Sequence, residues 1–209
     1  MSNRPVFLHL LMAPTDSAYG ALMLRKSAPD LIVLGEGILP EAAAAVAHRF
    51  PQAIVVAGEQ GRGQGVRGVI RHEGKVQISY AKLSDDGHTA GLAAHLGRDQ
   101  RVIYQAGPFA VAVLVCKDVG AEDFADGWIA RLQTMDVPHR ILAIPADMGN
   151  DFFFQDVLSE RFAGLTVALC NARIAPGYLP SFITCHATRS KYPLMERADG
   201  LIEAVIPGA

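Results

Sequence analysis

The chain is short of cysteine, of excess charge and of long apolar runs, and each shortage removes a class of protein. Its three cysteines, Cys116, Cys170 and Cys185, are an odd number at wide spacing with no CxxC, so neither a disulfide framework nor a zinc cluster is suggested. The seven histidines, at 9, 48, 72, 88, 95, 139 and 186, show no HxH or HExxH spacing, and no metal or other cofactor is expected. No lysine/arginine run reaches five residues and the formal net charge is −2, which gives no electrostatic footprint for nucleic acid or an anionic membrane. No apolar stretch approaches the roughly 20 residues needed to span a bilayer. The opening "MSNRPVFLHLLMAPTDS" has a short apolar run that reads as a first core strand rather than a secretory signal. The glycine-rich "GRGQGVRG" (61–68) lacks the GxxxxGK[ST] spacing of a phosphate loop and reads as a flexible surface loop. There is no internal repeat, low-complexity segment or convincing linker. A reduced, cytoplasmic protein acting on a small molecule or on another protein is the expectation.

What is present is core. Half of the 209 residues are hydrophobic and 19% are charged, enough to fill one α/β domain over residues 1–209. Strand candidates lie at 6–12, 31–36, 53–59, 66–72, 75–82, 101–107, 109–116, 140–146, 165–172, 181–187 and 201–206. Several are continuous Val/Ile/Leu runs, as strands covered on both faces should be. The pair around Glu73-Gly74 alternates instead, the pattern of an antiparallel hairpin. Helices are expected at 17–28 and at 40–50, where Pro40 suits a first helical position. A third, at 121–136, puts Phe124, Trp128, Leu132 and Met135 on one face. A fourth, at 150–164, is closed by Gly164. The order is that of an α/β fold with a mixed sheet.

Three apolar strands end in reactive side chains. "LIVLGE" delivers Glu36, "KVQISYAK" delivers Lys82 and "FAVAVLVC" delivers Cys116. Strand ends are where parallel-type sheets carry their active sites. Singly, each has an ordinary explanation: strand-terminal Glu and Lys are usually solvated, and cysteine is among the most buried residues. Cys170 and Cys185 read as core. Cys185 and His186 are adjacent strand residues that point to opposite faces, which argues against a dyad.

As a set, the three residues resemble the nitrilase, or carbon–nitrogen hydrolase, superfamily. Its patterns "dLIvlPE..lP", "G.i...yrK" and "i.vliC.D" are matched here by "PDLIVLGEGILPE", "EGKVQISYAKL" and "FAVAVLVCKDVGAEDF". Downstream, "RILAIPADMGNDFFFQDVLSERFAGLTVALCNAR" looks like the family's strand, loop, helix and strand ending in Asn, and "ADGLIEAVIPGA" like its closing strand. The chain departs from the pattern at Gly35, usually Pro, and at Lys117, usually aromatic. It has only Asp85 and Asp86 where many members carry a further glutamate, and "ERFAGL" in place of "RAxEN".

The resemblance implies a nitrilase-like αββα sandwich with mixed sheets. It implies a hydrolase that cleaves a non-peptide C–N bond, amide rather than nitrile, through a cysteine thioester. Cys116 would be the nucleophile, Glu36 the proton carrier, and Lys82 the oxyanion stabiliser, helped by the backbone N–H of Lys117. Such a nucleophile is expected to be accessible at a pocket mouth and activated by the neighbouring ammonium. A small-molecule amide is the implied partner, with a homodimer or higher homo-oligomer. The alternative is a catalytically weak or inactive relative serving as a small-molecule-binding or assembly module, and the missing carboxylate and altered "RAxEN" favour it.

Overall fold

The computed structural model describes residues 7–83, 101–147, 160–172, 181–185, 190–191, 195–196 and 200–207. The first half of the chain alternates strand and helix. β1 (Phe7–Ala13), α1 (Asp16–Met23), β2 (Leu31–Ile38), α2 (Pro40–Arg49) and β3 (Ile54–Gln60) lead to a hairpin of β4 (Val66–His72) and β5 (Lys75–Ala81). Glu73 and Gly74 turn that hairpin with φ of 52° and 72°, the left-handed pair a tight two-residue turn requires. The second half runs β6 (Ile103–Ala106), β7 (Phe109–Val113), α3 (Glu122–Gln133), β8 (His139–Ala146), β9 (Thr166–Asn171) and β10 (Phe182–Cys185). Two short strands, β11 (Ser190–Lys191) and β12 (Met195–Glu196), precede β13 (Ile202–Pro207).

These strands form two sheets. A seven-stranded sheet has the order β12-β13-β1-β2-β3-β4-β5, and a six-stranded sheet the order β11-β10-β9-β8-β7-β6. Both are mixed, with β1, β2 and β3 parallel in the first and β7, β8 and β9 parallel in the second. The period of two sorts the first sheet's side chains cleanly. Leu8, Leu10, Met12, Leu31, Val33, Ile54 and Val56 enter the core shared with the second sheet. Leu11, Ala13, Ile32, Leu34, Val55 and Ala57 pack with Ala18 and Leu22 of α1 and with Ala43, Val46 and Ala47 of α2. On the other side, Phe124, Ala125, Ile129 and Leu132 bring α3 against the second sheet. The layers are therefore helix, sheet, sheet and helix, the αββα arrangement anticipated from the resemblance.

Local chemistry sets the helix ends. Thr15 caps α1, its hydroxyl accepting the Ala18 N–H at 3.2 Å, and Pro40 opens α2. Several boundaries differ from expectation, among them β2, which continues past Glu36 to Ile38. The first helix stops at Met23 rather than residue 28, its last carbonyls taken by the Leu24 and Arg25 N–H groups. The strand at 109–116 ends at Val113. Residues 66–68 of the supposed surface loop belong to β4, paired with Gln60, Glu59 and Gly58 of β3. Most of the helix expected at 150–164 lies outside the described residues, as do His186, Asp85 and Asp86, and nothing is described of the Cys185 side chain.

Candidate active site

Glu36 stands where β2 loses its regular register against β3, with irregularities on either side of its pairing to Gly58. The surrounding glycines make room for it. A Cβ on Gly58 would come within 2.9 Å of the Glu36 Cα, and one on Gly35 within 2.9 Å of the Ala172 Cβ, just past β9 of the facing sheet. Gly37 has a φ of 84°, a conformation that costs glycine little. Glycine before the glutamate is thus the residue that lets the two sheets close on each other there.

Lys82 follows β5 directly, its N–H continuing the ladder to the Val66 carbonyl at 2.9 Å. Its ammonium donates to Glu36 Oε1 at 2.6 Å, with the two side chains 12% and 9% exposed. Burial alone would lower the lysine pKa. The hydrogen bond and charge of Glu36 outweigh it, Cys116 and Asp118 add to them, and the ammonium is held above its ordinary value. Among the described residues the second Glu36 oxygen, Oε2, is buried with no cation or N–H on it, and the Cys116 thiol is the hydrogen-bonding group beside the carboxylate. A carboxylate oxygen left in that position calls for an explanation, and a catalytic role is one.

Cys116 opens a short 3-10 turn, Cys116–Gly120, after the apolar run of β7. Its φ is 53°, one of two positive values among non-glycine residues described. A left-handed conformation at a side chain with a Cβ is strained by about 1–3 kcal/mol and persists only where the surroundings impose it. The thiol lies within the electrostatic reach of both Glu36 and Lys82, and the Asp147 N–H donates to it. The expectation of an accessible, activated thiol is corrected on both points. Cys116 is 3% exposed. Burial first, and the Glu36 charge second, push its pKa up to about 11 against the opposing pull of Lys82 and of the Asp147 N–H. The lysine does not prevail because its charge is already matched by Glu36 at shorter range. The resting group is a thiol beside a carboxylate and an ammonium.

Reading the sequence missed two partners of this constellation, Tyr80 and Asp118. Both are fully buried, and the Tyr80 hydroxyl donates to Asp118 Oδ2 at 3.1 Å. A sequence signal was present: the patterns "G.i...yrK" and "i.vliC.D" carry a tyrosine two residues before the lysine and an aspartate two after the cysteine, the positions of Tyr80 and Asp118. Lys117 is the second residue of the 3-10 turn, with its side chain exposed. A cleft of about 410 Å³ is lined by Gln64, Gly65, Val66, Arg67, Ala81 and Lys82. Its walls are the turn between β3 and β4 and the paired ends of β4 and β5, with the candidate-site lysine Lys82 among them. Cys170, by contrast, is wholly buried in β9, its thiol pushed far up by desolvation. Among the described residues no group of three His, Cys, Asp or Glu is placed to hold a metal ion, and no helix is long and apolar enough to cross a membrane.

No protein-family profile matches the chain, and no curated protein sequence matches it. Solved structures do. The chain is similar to the Nesterenkonia AN1 amidase from the nitrilase superfamily at 17% identity and a TM-score of 0.64, covering 96% of this chain and 90% of that one. One form of that amidase shows covalent addition of the acetamide moiety of fluoroacetamide at its active-site cysteine. Saccharomyces cerevisiae Nit3, a member of branch 10 of the superfamily, superposes with a TM-score of 0.61 at 13% identity, over 96% of this chain and 90% of Nit3. The glutamine-dependent NAD+ synthetase of Acinetobacter baumannii gives 0.61 at 12% identity, over 96% of this chain and 45% of the synthetase. With two facing mixed sheets, helices on both outer faces and Glu36, Lys82 and Cys116 gathered at one end, the chain has the fold of the nitrilase superfamily.

Proposed function

We propose that the protein hydrolyses a non-peptide carbon–nitrogen bond of a small amide through a thioester on Cys116. The observation that carries this reading is the Glu36–Lys82 pair in which, among the described residues, one glutamate oxygen has no cation on it, beside a thiol on a strained turn. A carboxylate fully engaged in an ion pair could not take a proton. This one has an oxygen to spare.

The steps follow from the resting protonation. Glu36 takes the proton of the Cys116 thiol as sulfur attacks the amide carbon, forming the S–C bond and placing negative charge on the former carbonyl oxygen. The Lys82 ammonium, with the Lys117 N–H, stabilises that oxyanion. Glu36 then gives its proton to the departing nitrogen as the C–N bond breaks, leaving ammonia or an amine and the thioester. Water attacks the thioester with Glu36 again as base, the C–S bond breaks, and the carboxylic acid and the free thiol are released. With the thiol pKa at about 11, a transfer within the site is needed because bulk solvent at neutral pH does not ionise it.

A panel of ω-amides, carbamoyl compounds and short nitriles, scored by ammonia release, tests the proposal. Turnover of an amide that is lost in Cys116→Ala supports it, and no turnover across the panel defeats it. Burial of the thiol favours a second reading, a binding or assembly module without turnover. In that case ligands would raise the melting temperature without being consumed. Association into a homodimer, implied by the resemblance, belongs with the proposal, as does a reducing cytoplasmic setting that suits an unpaired reactive thiol.

A further inference from the structure

We propose that Tyr80 and Asp118 are positioning residues that lock the nucleophile turn to the lysine-bearing strand end, so that Cys116 and Lys82 move as one unit. The inference rests on the proposed role of Cys116 and goes beyond it. Five contacts form the lock. The Val115 N–H donates to the Tyr80 hydroxyl at 2.5 Å, and that hydroxyl donates to Asp118 Oδ2 at 3.1 Å. The Leu83 N–H donates to both Asp118 oxygens at 3.2 Å. The Asp118 N–H donates to the Val115 carbonyl at 3.0 Å, closing the turn on itself.

The order of these residues along the chain gives the arrangement its force. Cys116 lies between Val115 and Asp118, and Lys82 lies between Tyr80 and Leu83. Each reactive residue is thus flanked on both sides by members of a single buried network. A left-handed residue relaxes when its neighbours are free to turn, and here they are not. Charge adds to geometry. Asp118 is fully buried, and a buried carboxylate is tolerated only with donors on both oxygens. Tyr80 is supplied with its place by Gly68 opposite, where a Cβ would fall within 2.1 Å of the ring. Its ring also lies 5.9 Å from that of Phe124. Among the described residues, the charged and titratable groups acting on the Lys82 ammonium are Glu36 from β2 and Cys116 and Asp118 from the turn after β7.

The test uses Tyr80→Phe and Asp118→Asn in the full chain, with amide turnover, fluoroacetamide adduct formation at Cys116 and the pH dependence of both. Tyr80→Phe keeps the ring against Gly68 and removes only the bridging hydroxyl. The expected result is a fall in kcat of about tenfold or more with KM within about twofold, and adduct formation slowed in proportion. Its pH profile should keep its alkaline limb, since no charge is lost. Asp118→Asn removes a negative charge facing Lys82, so its alkaline limb should move to lower pH as well. A role confined to folding would lower the melting temperature while leaving the limb and the adduct rate of the folded protein unchanged, and that outcome overturns the proposal. So does unaltered kcat in Tyr80→Phe, whether or not Asp118→Asn folds. Failure of the wild-type protein to form the Cys116 adduct defeats the nucleophile assignment itself, and the lock with it. An adduct in the wild type with unaltered variants defeats the lock alone.

Discussion

Two strands of one sheet end almost alike. β2 delivers Glu36 through "VLGE", and β3 delivers Glu59 through "VAGE". Both glutamates follow a glycine, both are shielded from solvent, and both carry a cationic partner. The pairs nevertheless differ in kind. Arg71 grips Glu59 with two parallel bonds, Nε to Oε1 at 2.7 Å and Nη2 to Oε2 at 3.0 Å, so both oxygens are satisfied. Lys82 reaches Glu36 with one bond, and among the described residues no cation takes the remaining oxygen. Arginine's planar fork saturates a carboxylate, whereas the ammonium of lysine acts as a single point of charge. A saturated pair holds strands together. An unsaturated pair can accept a proton, and a thiol stands beside this one.

Exchanging each glutamate for glutamine separates the two roles most widely. Glu36→Gln should lower amide turnover by about 10²–10⁴-fold, the range for loss of a general acid–base group, with a smaller change in melting temperature. Glu59→Gln should leave the proton-transfer chemistry intact and cost stability instead. Its Arg71 partner is only 14% exposed, and stranding a buried charge of this kind costs up to about 3–5 kcal/mol. Chemical denaturation and steady-state kinetics on the two variants would break the comparison if the losses came out reversed or equal.

Lys82→Gln is the next step down. Turnover should fall by two orders of magnitude or more, about 3–4 kcal/mol, as for a lost oxyanion donor. Arg71→Lys, which reduces the fork to a point charge, should leave turnover near the wild-type level.

The two buried thiols sharpen the contrast further. Limiting iodoacetamide should label Cys116 before Cys170, since both thiols receive a backbone N–H but only Cys116 has an ammonium beside it and only Cys170 is wholly buried. Because the Cys116 pKa lies at about 11, its labelling should rise steadily with pH from 7 to above 10 rather than level off near neutrality. Peptide mapping by mass spectrometry reads each site separately. Equal resistance of the two cysteines would return Cys116 to the core.

The smallest expected effect concerns a third saturated carboxylate, Glu203 in β13. Arg25 binds both its oxygens at 3.1 and 2.9 Å, and His9 Nε2 lies 2.6 Å from Oε1. Burial would raise its pKa, but the bonds and charges of Arg25 and His9 hold it below the ordinary value. A depressed folded-state pKa contributes stability above the unfolded value, near 4.3, and that contribution is lost as pH falls through the folded one. Glu203→Gln should therefore reduce stability at pH 7 and flatten its decline below about pH 4. An unchanged acid limb would show that the cluster carries no linkage.

Much of this was legible in the sequence for a physical reason. Continuous apolar strands, Pro40 and the Glu73-Gly74 turn are local signals, and the structure follows them. The three reactive residues could be singled out because each follows a strand and, as a set in that order, they resemble the motifs of a known superfamily; singly none was distinctive. The distinction between Glu36 and Glu59 could not, because it depends on which cation arrives from another strand and with what geometry. The positions of Tyr80 and Asp118 stood in the quoted patterns, but their contact did not: two residues become a network only when β5 and the turn after β7 meet. The early end of β7 was illegible too, since Leu114 and Val115 are as apolar as the strand before them and only the left-handed Cys116 marks the break.

The last strand of the chain lies beside the first. β13 pairs antiparallel with β1 from Phe7↔Pro207 to Met12↔Ile202, so one sheet encloses almost the entire order of synthesis. A ribosome releasing this chain would produce β1, β2 and β3 early, yet the outer edge of β1 would stay unpaired until residues beyond 200 emerged. Between the emergence of β1 and that of β13 the nascent chain would carry an open apolar strand edge, the kind of surface that chaperones bind and that joins chains to one another. Long-range closure of this type also makes refolding slow relative to proteins built from local contacts.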